Sequence, residues 1–419
     1  MQNSNRKLIV AGIAGNIMEW YDFAVYGYFA VVIGQHFFPS DNPTTSIVAS
    51  FGAFAAGFLM RPVGSVIFGH LGDKIGRKQA LTVSVLMMAI PTFLIGVMPG
   101  FDQIGVAAAV LMVLLRMLQG VSVGGEYTTS ITFLIEHAPT GKRGLMASWS
   151  VWGAILGILL GSAVGALVSN LLSPEQIHDW AWRIPFLSGI LIGLSGFYLR
   201  RHLVEQDAPT QERPASPLVE SVRDHWRVML QIAGLVVVAA IGFYMIFIYT
   251  ATWLQQSVHI DKARTLDINT LNMALMLLFI PAAAWVSDKI GRKPVLLVSI
   301  AGHALLAYPL FRLMHHQDVE MIFLGQFGFA VLVGTLAGVI PATIAELSPA
   351  RVRVTVMSIG YNLTLGILGG TTPLVAAYLI ERSHSDFAPA YYLSAAALIS
   401  LMVAFTLKET AHAPLPTRV

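Results

Sequence analysis

The chain is 419 residues long, 55% hydrophobic and only 12% charged, with a formal net charge of +3 at pH 7 and no cysteine. That is more apolar surface than a water-soluble domain can hide, and the missing cysteines exclude disulfides, a thiol nucleophile and a thiolate metal site. The small positive balance does not point to nucleic acid, because the Lys and Arg sit in short clusters between apolar runs.

An apolar window predicts an all-α membrane protein with twelve transmembrane helices. They fall near residues 8–33, 47–70, 80–98, 104–135, 146–170 and 183–201, then 228–255, 267–287, 294–314, 320–346, 354–381 and 389–407. The first run is a span and not a cleavable signal, since it carries Asn16, Glu19 and Asp22 and lacks a clean core followed by a small-residue cleavage site. On helix 1, Asn16, Glu19, Asp22 and Tyr26 step by three, three and four and so line one stripe. Helix 2 carries Arg61, followed by Pro62 and Gly64, which predicts a kink where the guanidinium is presented. Helix 4 puts Arg116 and Gln119 on one face, with Glu126 about 15 Å further along. On helix 5, Gly153, Gly157, Gly161 and Gly165 repeat every four residues, a helix-packing pattern. The segment after residue 201, rich in Pro and charge, reads as an exposed linker. The domains are therefore 1–201 and 228–419, six helices each, joined by a cytoplasmic linker at 202–227. In the second half, Tyr244 and Tyr249 on helix 7, Asn272 on helix 8, and Tyr361 and Asn362 on helix 11 are candidates for a polar cavity wall. His303 within helix 9 reads as a satisfied polar residue, and His315 with His316 as solvated.

Orientation follows from the basic residues. Placing both termini inside puts nineteen of the 26 Lys and Arg in inside segments, five outside and two, Arg61 and Arg116, within spans. The hexapeptide DKIGRK then falls twice in a cytoplasmic turn between the second and third helix of a half, at Asp73–Lys78 and Asp288–Lys293. A second pair, Glu136 to Arg143 and Glu346 to Arg353, shares a Glu, a Pro three later and an Arg four after that. Parallel halves of this kind build a transporter that rocks around a central site. Asp73, Arg77, Asp288, Arg292, Glu136, Arg143, Glu346 and Arg353 are thus candidate gating residues, whose ion pairs form in one conformation and break in another. The plainer alternative is that they only anchor topology.

The charges inside spans carry the chemistry. A charge at the bilayer centre costs roughly 2.5–3.5 kcal/mol, so Glu19, Asp22, Arg61, Arg116 and Glu126 mark a pathway unless they pair only to hold the bundle together. All five lie in the first half; the position equivalent to Arg116 in the second is Gln326. Arg61 and Arg116, with Gln119, Tyr26, Tyr244, Tyr361 and Asn362, are the candidate substrate contacts, and Glu19, Asp22 and Glu126 the candidate proton carriers. Three acids against two arginines leave the set at −1, so an anionic substrate enters only with a proton. No phosphate loop, metal-ligand cluster or nucleophile elbow appears, which leaves no cofactor, no metal and no enzyme chemistry.

The strings GHLGDKIGRK, GNIMEWYDFAVYGY, FLMRPVGSVIFG, RMLQGVSVGGEY, EHAPTGKRG and WAWRIPF together resemble the metabolite:proton symporter family of the major facilitator superfamily, which holds bacterial proline/betaine, 2-oxoglutarate, citrate and shikimate carriers. The resemblance covers nearly the whole chain. It implies a monomer in the bacterial inner membrane, in contact with lipid, that imports a small molecule with protons. Arg116 also occurs in the citrate- and 2-oxoglutarate-like relatives, so the leading expectation is proton-coupled uptake of a small di- or tricarboxylate. The alternative is a zwitterion such as proline or glycine betaine, with Trp20, Tyr21 and Tyr26 caging a quaternary amine. The chain ends about a dozen residues after the last span, without the long coiled-coil tail of some osmosensing members, and this lowers an osmoregulatory reading without excluding it. A sensor or drug exporter is the reading from another class; a sensor is expected to carry an appended signalling domain, and export is disfavoured by the family resemblance and by helix 5 lacking the Gly-Pro pattern of many antiporters.

Overall fold

The computed structural model describes residues 2–41, 43–201 and 216–415. Among them, twelve long helical segments run in the order expected. In the first half these are α1 (Gln2–Phe37), α2 (Pro43–Leu59 continued by Arg61–Lys74), α3 (Arg77–Val97), α4 (Val106–Glu136), α5 (Arg143–Leu171) and α6 (Arg183–Arg201). The second half supplies α7 (Trp226–Ser257), α8 (Lys262–Ile290), α9 (Arg292–Met314), α10 (Val319–Leu347), α11 (Ala350–Ser383) and α12 (Ala388–Thr406). Ten of them are long and apolar enough to cross a membrane, and α1 and α6 complete the set. Side chains such as Leu59, Val298, Leu305 and Leu374 are more than 70% exposed. Such an apolar exterior makes sense only against lipid, where burial gives no further gain.

The chain divides into two compact units, Met1–Leu134 with Gly153–Leu218, and Ile135–Trp152 with Val219–Val419. The α4–α5 turn and the first ten residues of α5 therefore cluster with the second unit. The linker expected at 202–227 falls largely on 202–215, outside the described residues; beyond it, Pro217–Asp224 is a short helix ahead of α7.

Local chemistry explains the breaks. α2 is interrupted at Met60, and Pro62 then sits in the first turn of the new segment, where its missing N–H costs nothing. In both hexapeptides the glycine takes a conformation that a side chain would strain: Gly76 has φ 111° and ψ 157°, Gly291 φ 108° and ψ 157°. The repeated spelling is thus a repeated backbone turn. The α5 glycines meet α1, where Gly157 faces the Ile17 backbone, Gly161 the Tyr21 carbonyl and Gly165 the Tyr28 ring. Closer still is α2 on α4. A Cβ at Gly64 would overlap the Val121 backbone, one at Gly120 the Gly57 backbone and one at Gly124 the Arg61 carbonyl.

Candidate functional site

The helix 1 stripe is buried on one side of α1: Asn16 is 0% exposed, Glu19 1%, Asp22 0% and Tyr26 0%. Each residue meets a partner on α2 or α4. Asn16 Nδ2 donates to Ser130 Oγ at 3.0 Å, and Tyr26 Oη donates to the Ser50 carbonyl at 2.9 Å. Glu19 faces Arg61 with 3.7 Å between charged atoms, and Asp22 is paired with Arg116.

The two ion pairs differ in kind. Asp22 accepts three side-chain donors: Arg116 Nη1, Thr92 Oγ1 at 2.9 Å and Gln119 Nε2 at 2.9 Å. Gln119 also donates to Thr92 Oγ1 at 2.8 Å and accepts from Arg116 at 2.7 Å, which closes a ring of four residues from α1, α3 and α4. Glu19 has both carboxylate oxygens buried with no hydrogen bond, and Arg61 has Nε and Nη1 in the same state; Arg116 Nε and Asn16 Oδ1 are likewise unmatched. Unmatched buried donors and acceptors are rare in a folded protein. Four of the residues that carry such groups, Asn16, Glu19, Arg61 and Arg116, lie on α1, α2 and α4, and the bare oxygens of Glu19 face the bare donors of Arg61. Glu126 on α4 is buried at 2% exposure and within electrostatic reach of Glu19.

Aromatic rings wall this cluster. The Arg116 guanidinium lies 4.3 Å from the Tyr26 ring centre, 5.2 Å from Phe23 and 5.3 Å from Phe54. Arg61 lies 5.6 Å from Phe58 and 5.9 Å from Trp20. Phe23 packs edge-on against Phe54 and Phe58, and Tyr26 stacks on Phe54. Phe23, Phe54, Phe58, Thr92 and Ser130 are absent from the sequence-based candidates. Phe and Thr are common in any span, so nothing in their type or spacing marks them.

In the second unit, Tyr244 is buried on α7 within a π-helical turn, Tyr244–Tyr249. A π-turn shifts backbone bonding by one residue and leaves carbonyls to other partners. Gln326 Nε2 donates to the Ile246 carbonyl at 3.1 Å and to Asn269 Oδ1 at 2.7 Å, and Asn269 Nδ2 donates to the Phe247 carbonyl at 3.1 Å. A second π-turn, Leu365–Gly369 on α11, brings Gly369 against the Tyr244 ring. Asn362 is buried and donates to the Ser358 carbonyl at 3.0 Å, while Tyr361 is half-buried. His303 is fully buried with Nδ1 against the Ser299 carbonyl.

Most of the candidate gating residues form a second cluster inside that unit. Asp288 accepts the N–H groups of Gly144 and Leu145 at 2.8 and 2.9 Å, capping the start of α5, and pairs with Arg292 at 2.7 Å. Glu346 takes Arg292 and Arg143, each at 3.1 Å, and Arg353 pairs with Glu136 at 2.9 Å. The tail joins in, because Thr410 Oγ1 donates to Glu346 and Arg143 donates to the carbonyls of Thr410, Ala411 and Ala413. Asp73 is 2% exposed in the first unit, and the Arg77 side chain lies outside the described residues.

The sequence profile of the sugar (and other) transporter family matches residues 7–206 and again 198–417, once per half and together nearly the whole chain. The chain belongs to that family. It is 38% identical over 98% of its length to the glycine betaine/proline/ectoine/pipecolic acid transporter OusA of Dickeya dadantii, covering 84% of that protein. It is 36% identical, again over 98% of its length, to the proline/betaine transporter of Escherichia coli K12, covering 85% of it. The fold matches the major facilitator proton:xylose symporter XylE with a TM-score of 0.82, at 16% identity and over 99% of this chain and 98% of that one. The twelve-helix major facilitator architecture expected from the sequence is thus shown, and the protein is a multi-pass membrane transporter.

Proposed function

We propose that this transporter is a proton-coupled importer of a small zwitterion of the proline or glycine betaine class, working by alternating access in the bacterial inner membrane. The observation that carries this reading is the pairing of each buried arginine with an acid inside an aromatic wall. A di- or tricarboxylate, the leading expectation from the sequence, needs a surplus of positive charge. Here Arg116 is paired with Asp22, and Arg61 faces Glu19, so neither arginine brings an uncompensated charge. A zwitterion carries both signs itself. Its carboxylate matches the unmatched donors of Arg61, and its ammonium or quaternary nitrogen matches the acid and the ring faces of Trp20, Phe58 and Tyr26. The relatives named for proline and betaine transport support the same choice over the carboxylate.

The bonding pattern divides the labour between the acids. A carboxylate already holding three donors, as Asp22 does, gains nothing from a proton. A buried carboxylate with both oxygens unbonded gains a donor, so Glu19 is the coupling acid in this reading, with Glu126 as its neighbour. The Asp288–Arg292–Glu346–Arg143 cluster, with Arg353 and Glu136, serves as a cytoplasmic gate that breaks and re-forms through the cycle.

The test is uptake into proteoliposomes under an inward pH gradient, with labelled glycine betaine, proline, citrate and 2-oxoglutarate compared. Gradient-driven accumulation of betaine or proline is expected, with Glu19→Gln retaining solute exchange but losing accumulation. Accumulation of citrate or 2-oxoglutarate alone would return the assignment to carboxylates, and full accumulation by Glu19→Gln would move the proton elsewhere.

A further inference from the structure

The helix Pro217–Asp224 presents an apolar stripe that no part of the described protein covers. Val219 is 58% exposed and Val222 53%, and the stripe continues through Trp226 at 50% and Leu230 at 59%. A spacing of three keeps Val219 and Val222 on one side of the short helix, and a spacing of four keeps Trp226 and Leu230 on one side of α7. The stripe is interrupted only at His225, whose φ of −125° bends the chain between the short helix and α7. Ser221 is buried on the opposite side.

Leu230 is an exposed apolar residue of α7, which is long and apolar enough to span a membrane, so the exposed apolar surface continues from that span past the bend onto the short helix. Its flanks are those of a headgroup boundary. Arg227 lies 5.5 Å from the Trp226 ring centre, and Arg223 is joined to Asp224 at 2.8 Å. Tryptophan and arginine concentrate at that depth because each has an apolar body and a polar end. The remaining charge on the helix points inward, with Glu220 paired to Arg351 at 3.5 Å. Arg351 lies in the turn Ala350–Val352, immediately before Arg353, which holds Glu136.

We propose that Pro217–Asp224 is an interfacial helix that docks on the anionic phospholipid headgroups of the inner leaflet, and that the Glu220–Arg351 bridge passes its position to the turn carrying Arg353. The apolar stripe sinks to the acyl boundary, while Arg227 and Arg223 meet phosphates. The inference rests on the reading of the chain as a membrane transporter with its basic turns inside. It is independent of which solute is carried.

The chain has no cysteine, so Val222→Cys accepts a single nitroxide label with no other change. In vesicles of phosphatidylcholine containing phosphatidylglycerol, that label should be several-fold less accessible to a water-soluble relaxing agent than one at Asp224→Cys on the opposite face. In phosphatidylcholine alone the difference should fall toward parity. Equal accessibility of the two sites in both compositions overturns the proposal. So does protection that follows protein density and not phosphatidylglycerol, which would point to a second copy on the stripe. This readout needs no substrate and survives a wrong solute assignment. For the link to the gate, Val222→Ser with Arg227→Gln should abolish a several-fold gain in uptake rate on adding phosphatidylglycerol while leaving the rate in phosphatidylcholine unchanged. A gain equal to that of the unaltered chain overturns the link.

Discussion

Asp22 and Glu19 sit one helical turn apart on α1, each opposite an arginine, and their surroundings set them to different work. Breaking a buried pair by removing one partner costs about 3–5 kcal/mol, because the other charge is left stranded. Asp22→Asn is therefore expected to lower the thermal unfolding midpoint in detergent sharply, and Asp22→Asn combined with Arg116→Gln to recover most of that loss without recovering transport. Additive losses in the double variant would mean that the pair is not the unit described. The stripe itself was legible in the sequence, since spacing fixes direction around a helix. Its partners were not, because which neighbour faces a stripe is settled by tertiary packing. Thr92 illustrates the gap: a threonine within an apolar run carries no mark of the two side chains it joins.

Helix contacts show the same contrast. Pro62 did signal a break in α2, which falls at Met60, just before Arg61, and the α5 glycine repeat did mark a packing face. Gly57 and Gly64 on α2 against Gly120 and Gly124 on α4 make a tighter contact, and their spacing gave a weaker signal. Gly120→Ala is expected to destabilise by at least about 1–3 kcal/mol, as overpacking does, because the added carbon meets backbone that cannot swing aside. An unfolding midpoint equal to that of the native chain would show that the two helices can part. At the far end of the chain, Glu409 caps α9 through the N–H groups of Arg292 and Lys293. Partial burial pushes the Glu409 carboxyl up, but the backbone donors of Ala411, Arg292, Lys293 and Thr410 outweigh it and hold the group below the ordinary value of 4.5. A depressed carboxyl contributes in full above that ordinary value and loses its contribution as pH falls through the lowered one. Glu409→Gln should therefore lower stability at neutral pH and converge with the native chain in acid. Parallel curves across that window would show that the cap carries no stability.

At the scale of the molecule, the duplicated hexapeptide and the Glu–Pro–Arg pair were legible as two halves, and the matching φ and ψ of Gly76 and Gly291 give that duplication a physical form. The placing of the charges within spans in the first half was itself legible; the asymmetry that was not is the arginine–carboxylate cluster in the second unit, with Glu346 as the shared acceptor of Arg143, Arg292 and Thr410. Glu346→Gln weakens all three contacts at once. In the cysteine-free chain, a thiol placed at buried Ser148 is expected to react faster with a polar reagent when Glu346→Gln is added. Unchanged reactivity would reduce the cluster to a fixed brace.

The assignment of Ile135–Trp152 to the second unit has a consequence for how the chain is joined. The eighteen residues of that segment are lent by the amino-terminal half, and Arg143, Gly144 and Leu145 supply bonds that the carboxy-terminal half cannot make from its own sequence. A chain severed within 202–215 would yield two fragments that are not autonomous, since one of them completes the other. On that expectation a covalent join between the halves adds mainly local concentration. Recovery of transport on co-expressing the two fragments is the expected outcome, carried by the turn between α4 and α5.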